Sequence, residues 1–209
     1  MQLLILAKEE QKEELLAGGV ADDCKIDWIT IPAGLPAFTN YDAIFDLLFE
    51  ENGHTIHYLN ENADTPVFIN SVNKTIEELE APFIRINGWP GFLKRPIAEV
   101  AGSNEKKKDA EKILNALNKK AEWIPDIKGF VSARVICMII NEAYFALEEN
   151  VSTKEEIDIA MKLGTNYPYG PFEWAKKIGL KKIAGLLSEL SKSEKRYHPS
   201  QLLLKEAGE

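Results

Sequence analysis

The strongest constraint on this chain is a change of rhythm partway along it. Up to Gly102, short apolar runs alternate with charged segments of helical period; from Ser103 onward almost everything repeats with helical period. Residues 3–7 (LLILA), 25–31 (KIDWITI), 65–72 (TPVFINSV), 82–87 (PFIRIN) and 96–102 (PIAEVAG) read as strands. Residues 8–19 and 75–81 read as helical, and so does 41–52 (YDAIFDLLFEEN), where Ile44, Leu47 and Leu48 recur at helical spacing. Such alternation predicts an α/β layer with a mainly parallel sheet.

After Ser103, a plausible N-cap, comes a helix with Ile113, Leu114 and Leu117 on one face, then a short strand at 122–124 and Pro125. Residues 130–150 form a long helix of about six turns, apolar nearly all round in its first two-thirds. That pattern marks a buried helix or one at a subunit interface. Thr153 and Glu156 fit a capping box opening the next helix, with Gly164 as its C-cap. Pro171 suits the first position of the helix after it. The division predicts domains at 1–126 (α/β) and 127–209 (helical).

Composition excludes several classes. The net charge of −8 and pI of about 5.1 leave no basic face for nucleic acid. The run Lys106, Lys107, Lys108 is followed by Asp109 and Glu111 and reads as a solvated helix face. The two cysteines, Cys24 and Cys137, offer neither a metal-binding spacing nor a disulfide framework. The opening run is too short for a signal peptide, and no stretch reaches the roughly 18 apolar residues of a membrane span. A cytoplasmic protein without metal, membrane or nucleic-acid partner is expected.

Three C-terminal stretches carry a resemblance: GFVSARV (129–135), INEAYFALEENVSTKEEIDIAMKLGTNYPYGPFEWAKKIGL (140–180) and RYHPSQLLLKE (196–206). They resemble the helical domain of the L-3-hydroxyacyl-CoA dehydrogenases, NAD-dependent enzymes of fatty-acid β-oxidation. Residues 84–129 resemble, more loosely, the end of that family's nucleotide domain. The resemblance implies a reduced Rossmann-like α/β domain followed by the helical C-terminal domain. It also implies a homodimer through the helical domain, or pairing with an active paralogue, and an acyl-CoA ligand. The apolar positions Ile136, Ile139, Ile140 and Ala143 suit such a partner surface, and burial within one chain would explain them equally. Arg134, Asn166, Pro168, Gly170, Pro171 and Phe172 fall at positions the family uses against its substrate. The loop around 166–172 reads equally as a tight helix-to-helix turn.

The first half departs from the family pattern. A dinucleotide site needs glycines after the first strand, G-x-G-x-x-G, so that backbone can approach the pyrophosphate at a helix N-terminus. Here KEEQKEELL follows the strand, and Glu9 and Glu10 put negative charge where a phosphate belongs. The α/β portion is also shorter than the family's nucleotide domain. The family's catalytic histidine, oriented by a glutamate twelve residues later, matches Asn87, with Glu99 as the glutamate. An asparagine is no general base, a loss worth roughly 10²–10⁴ in rate. The family's serine falls at Val72 and its asparagine at Ala133, and losing such a polar group costs a further ~10²–10³.

Substitutes for the missing base are few. His54 and His57 read as surface or edge-strand residues on opposite faces, and His198, before Pro199, reads as structural. Ser71 and Ser132 have no histidine nearby in sequence, so no hydrolase triad is supported. Asp22, Asp23, Glu50 and Glu51 read as solvated loop and helix-end charges. The expectation is a divergent family member without NAD binding or dehydrogenase activity, kept for acyl-CoA-type binding or as a dimer partner. The alternative is an active L-3-hydroxyacyl-CoA dehydrogenase using NAD.

Overall fold

The computed structural model describes residues 1–30, 40–52 and 65–208. The chain divides into two units, Met1–Phe130 and Val131–Glu209.

The first unit is built on a seven-stranded sheet of β1 (Gln2–Leu6), β2 (Lys25–Ile29), β3 (Ala43–Asp46), β4 (Val67–Asn70), β5 (Ile84–Ile86), β6 (Ile97–Ala101) and β7 (Lys120–Trp123). The spatial order is β2-β1-β3-β4-β5-β6-β7. Neighbours from β2 through β5 run parallel, β6 opposes β5, and β7 runs parallel with β6. A Rossmann sheet has the order 3-2-1-4-5-6. Removing its outermost strand and renumbering leaves 2-1-3-4-5, the order of the first five strands here. The sheet is therefore Rossmann-like from β2 to β5, with one outer strand fewer on the β2 side among the described residues, and β6 and β7 continue it beyond β5.

Side chains alternate across the sheet and both faces are covered. Leu3, Ile5, Phe45 and Phe68 pack on one side with Leu15 of α1 (Glu9–Leu16) and with Ile113 and Leu114 of α4 (Lys107–Ala116). Leu4, Leu6, Ile44 and Ile69 pack on the other with Leu79 of α3 (Ile76–Leu79). Phe45 and Phe68 are register partners whose rings stack at 4.3 Å. Burial on both faces makes β3 apolar up to its last residue, Asp46, which corrects the helical reading of 41–52: a buried strand comes first, and only Phe49–Asn52 (α2) is helical. Ser103 precedes a 3₁₀ turn, Asn104–Lys106, and its side chain makes no capping bond.

The second unit contains α5 (Ser132–Glu148), α6 (Lys154–Thr165), α7 (Pro171–Ile178), α8 (Leu180–Ser191) and α9 (Gln201–Ala207). At 17 residues α5 is shorter than the span read from sequence, because Gly129 and Phe130 take positive φ of 83° and 48° ahead of it. Thr153 and Glu156 close the expected capping box on α6. The C-cap is Asn166 at φ 55°, not Gly164, since asparagine tolerates the left-handed conformation and the helix continues through the glycine. Of the apolar positions that suit a partner surface, Ile136, Ile140 and Ala143 are buried and Ile139 is half-buried. The exposed apolar positions of this stretch are Val131 and Val135, 54% and 49% exposed.

The segment before α9 is fixed by α5. Asn141 donates to the His198 carbonyl at 2.9 Å and accepts from Ser200 N–H at 2.8 Å, while Ser200 Oγ donates to Glu148 at 3.0 Å. Ser200 Oγ then accepts from Leu203 N–H and caps α9. His198 contributes its main-chain carbonyl here, in keeping with a structural role. None of the described helices is long and apolar enough to cross a membrane.

Candidate functional site

In an open α/β sheet, ligands bind beyond the carboxyl ends of the strands where the strand order reverses. In this chain the reversal lies between β1 and β3, and the residues around it are those that follow β1, β3, β4 and β5.

Beyond β1, the first turn of α1 carries Glu9, Glu10 and Gln11. Gln11 is buried; its Oε1 accepts the Lys8 N–H at 3.0 Å and its Nε2 donates to the Leu47 carbonyl at 2.9 Å. A longer bond of 3.5 Å reaches the Gly88 carbonyl. Leu47, just past β3, also accepts from Asn70 Nδ2 at 3.2 Å, and Asn70 Oδ1 accepts from Gly88 N–H at 3.0 Å. A Cβ on Gly88 would stand 2.9 Å from Asn70 Cγ, so glycine is what allows this approach. One turn further along α1, Glu14 accepts the Gly91 N–H through both oxygens, at 2.6 and 2.9 Å. Lys8 pairs with Glu51 at 2.7 Å.

Asn87 and Glu99 come together because β5 and β6 are antiparallel neighbours. Asn87 N–H donates to the Glu99 carbonyl at 3.1 Å, and Asn87 Nδ2 donates to Glu99 Oε2 at 3.0 Å. Both side chains are buried. Asn87 Oδ1 accepts from Trp89 N–H at 3.4 Å, which orients the amide. An amide so held donates to a carboxylate, and it has no lone pair basic enough to take a proton near neutral pH. Val72, at the serine position of the resemblance, is fully buried.

Glu50 departs from its sequence reading. Far from being a solvated helix-end charge, it accepts the backbone N–H groups of Val72 and Asn73 at 2.6 and 3.0 Å and the Trp89 indole N–H at 2.8 Å. Gln11, Glu14 and Trp89 are likewise invisible as partners in the sequence, because no local pattern links residues so far apart. The reading of Glu51 as a surface charge stands, in a half-exposed pair.

In the second unit, Ala133 is fully buried in the first turn of α5. Arg134 Nη1 donates to Tyr197 Oη at 3.4 Å, with the guanidinium 5.7 Å from that ring's centre. The loop 166–172 is organised by Asp158 of α6, which accepts the N–H groups of Phe172 and Glu173 at 2.8 and 3.2 Å and so caps α7. Burial, the largest influence, raises the Asp158 carboxyl above its ordinary pKa; repulsion from Glu173 adds to this, and the two N–H bonds oppose it. Gly170 N–H donates to Glu173 at 2.9 Å, Pro171 is buried at the first helical position, and Phe172 packs edge-on against Tyr144 at 5.1 Å. Asn166 serves as a helix cap, and Pro168 lies in the turn after it. His54 and His57 lie outside the described residues, and among those described no His, Cys, Asp and Glu group could hold a metal.

Residues 129–208 match the family described as 3-hydroxyacyl-CoA dehydrogenase, C-terminal domain. The chain is 35% identical over 131 residues to a 3-hydroxyadipyl-CoA dehydrogenase of Escherichia coli K12, covering 62% of this chain and 28% of that protein. It is 36% identical over 103 residues to a 3-hydroxybutyryl-CoA dehydrogenase of Bradyrhizobium diazoefficiens, covering 47% and 35% of the two chains. The chain thus spans well under two thirds of the length of the curated relatives it matches. The crystal structure of a Ralstonia eutropha (S)-3-hydroxybutyryl-CoA dehydrogenase superposes with a TM-score of 0.73 at 19% identity, over 98% of this chain and 92% of that one, a likeness of fold.

Proposed function

Since the chain belongs to the 3-hydroxyacyl-CoA dehydrogenase family through its C-terminal domain, we propose that it is a divergent member that carries out no dehydrogenation and is retained to bind an acyl-CoA-type ligand and to pair with a second copy. The observation that carries this reading is the buried Asn87–Glu99 bond. The glutamate that would orient a histidine is present and engaged, and the group it orients is an amide.

Dinucleotide binding fits poorly as well. A pyrophosphate would need open N–H groups at the start of α1, yet Glu9 and Glu10 stand in that turn and Gln11 spans from it to Leu47. These residues do not fit NAD, and no step through NAD enters the proposed role. The test is an NADH titration by tryptophan fluorescence, with and without acetoacetyl-CoA, followed by nicotinamide absorbance. The expected result is no saturable NADH response, a response to acetoacetyl-CoA, and turnover at least ~10² below that of a histidine-bearing relative. Saturable NADH binding with substrate-dependent oxidation would sink the reading in favour of an active dehydrogenase.

Pairing is supported by the composition of α5. Exposed Val131 and Val135 lie beside half-buried Met138 and Ile139, and Arg134 and Glu142 are equidistant in sequence from Met138. Two α5 helices crossing antiparallel at Met138 would set each Arg134 toward a Glu142, the self-complementary arrangement a two-fold interface requires. Val135→Glu is expected to halve the mass seen by sedimentation equilibrium; a wild-type chain that sediments as a monomer would refute the pairing.

A further inference from the structure

Three N–H donors converge on one point beyond β4 and β5. The backbone N–H groups of Val72 and Asn73 meet Glu50 Oε1, and the Trp89 indole N–H meets Oε2. Two successive backbone N–H groups aimed at one point form a nest that favours an anion, and the third donor belongs to a side chain with no exposed surface.

The donors are positioned by bonds other than those to Glu50. The Val72 carbonyl is held by Gly129 N–H at 2.7 Å and by Arg85 Nη2 at 3.2 Å, and Trp89 N–H points to Asn87. Glu50, in contrast, reaches the nest from α2, a helix of only four residues. The cradle is built into the sheet, and the carboxylate is brought to it by a short connecting element.

We propose that this nest is an anion site closed in cis by Glu50, and that the ligand class it takes is a small carboxylate. Two oxygens sharing three N–H donors is what a carboxylate supplies. A neutral amide has one acceptor oxygen and would turn its own N–H groups toward the remaining donor. Chloride, a single sphere, cannot meet the backbone pair and the indole on two separate atoms. The proposal is independent of acyl-CoA binding and of the loss of dehydrogenation.

The test removes the internal carboxylate and offers an external one. Glu50→Ala is expected to lower Tm by about 5 °C, since buried donors are left unpaired. Millimolar acetate should restore most of that loss, while sodium chloride at equal ionic strength and acetamide should not. In ¹H–¹⁵N spectra, acetate should shift the Val72, Asn73 and Trp89 indole signals of the variant saturably and leave those of the wild type in place. A folded variant whose three signals ignore acetate overturns the proposal, and so does a wild type that responds as the variant does. If Glu50→Ala fails to fold, Glu50→Gln keeps the shape: hydrogen exchange at the indole or at the two amides should quicken about tenfold, and unchanged exchange at all three would overturn the claim.

Discussion

Replacing Arg85 with methionine is expected to destabilise the first unit by about 3–5 kcal/mol, the usual cost of removing one partner of a buried ion pair. Arg85 has no exposed surface. Its Nε donates to the Ser71 carbonyl at 2.8 Å, Nη2 to the Val72 carbonyl at 3.2 Å, and Nη1 to Asp126 and to the Ile127 carbonyl at 3.2 Å. The Phe130 ring lies 4.6 Å from the guanidinium. Burial pushes the guanidinium pKa down, and Asp126 does most to hold it up. Methionine fills similar volume but donates nothing, so the Ser71 and Ile127 carbonyls and the Asp126 carboxylate each lose a donor, while the Val72 carbonyl keeps that of Gly129. Asp126 is 30% exposed and keeps the Ile76 N–H at 2.8 Å, so water relieves part of the loss on that side. Urea unfolding should show a lower midpoint with an unchanged slope. A loss below about 1 kcal/mol would mean that water replaces the guanidinium, and the hub would then be an ordinary surface pair.

Arg85 also shows where sequence reading reaches its limit. It lies in PFIRIN, a stretch correctly read as a strand, yet its partners are 13 to 42 positions away. Strand order and local period predict that the position is buried, and they say nothing about which carbonyls will be within reach. The same holds for Glu50, whose three donors come from beyond the ends of two other strands. Asn87 and Glu99 are legible as a pair because the resemblance matches both positions and an antiparallel pair of strands places them opposite one another. The misreading of 41–52 has a different cause. Burial on both faces removes the alternation that distinguishes a strand, and Ile44, Leu47 and Leu48 then imitate a helix. Caps are the easiest features to read: Thr153 and Glu156 signal themselves within four residues, and Pro171 does so alone.

Gly170→Ala should discriminate between the two readings of the loop that opens α7. A Cβ there would lie 2.3 Å from Asp158 Oδ1, 2.4 Å from Cγ and 2.5 Å from Cα. The clash with the backbone atom is decisive, because rotating a side chain away cannot relieve it; α6 and the loop must separate. Overpacking of this kind costs about 1–3 kcal/mol. Moving Asp158 also breaks its bonds to Phe172 and Glu173 N–H, a cap worth about 1 kcal/mol more. The expected loss is therefore about 2–4 kcal/mol, seen as faster hydrogen exchange across Lys154–Thr165 and Pro171–Ile178. Asp158→Ala, which removes the cap and adds no atom at Gly170, should cost less. In the double variant the obstruction is reduced to backbone, so the two losses should fall short of their sum. If glycine is required here for helix packing, stability falls first and any defect in acetoacetyl-CoA binding follows from it. A Gly170→Ala chain with wild-type exchange but no acetoacetyl-CoA response would instead make the loop a ligand wall, and Asp158 its support.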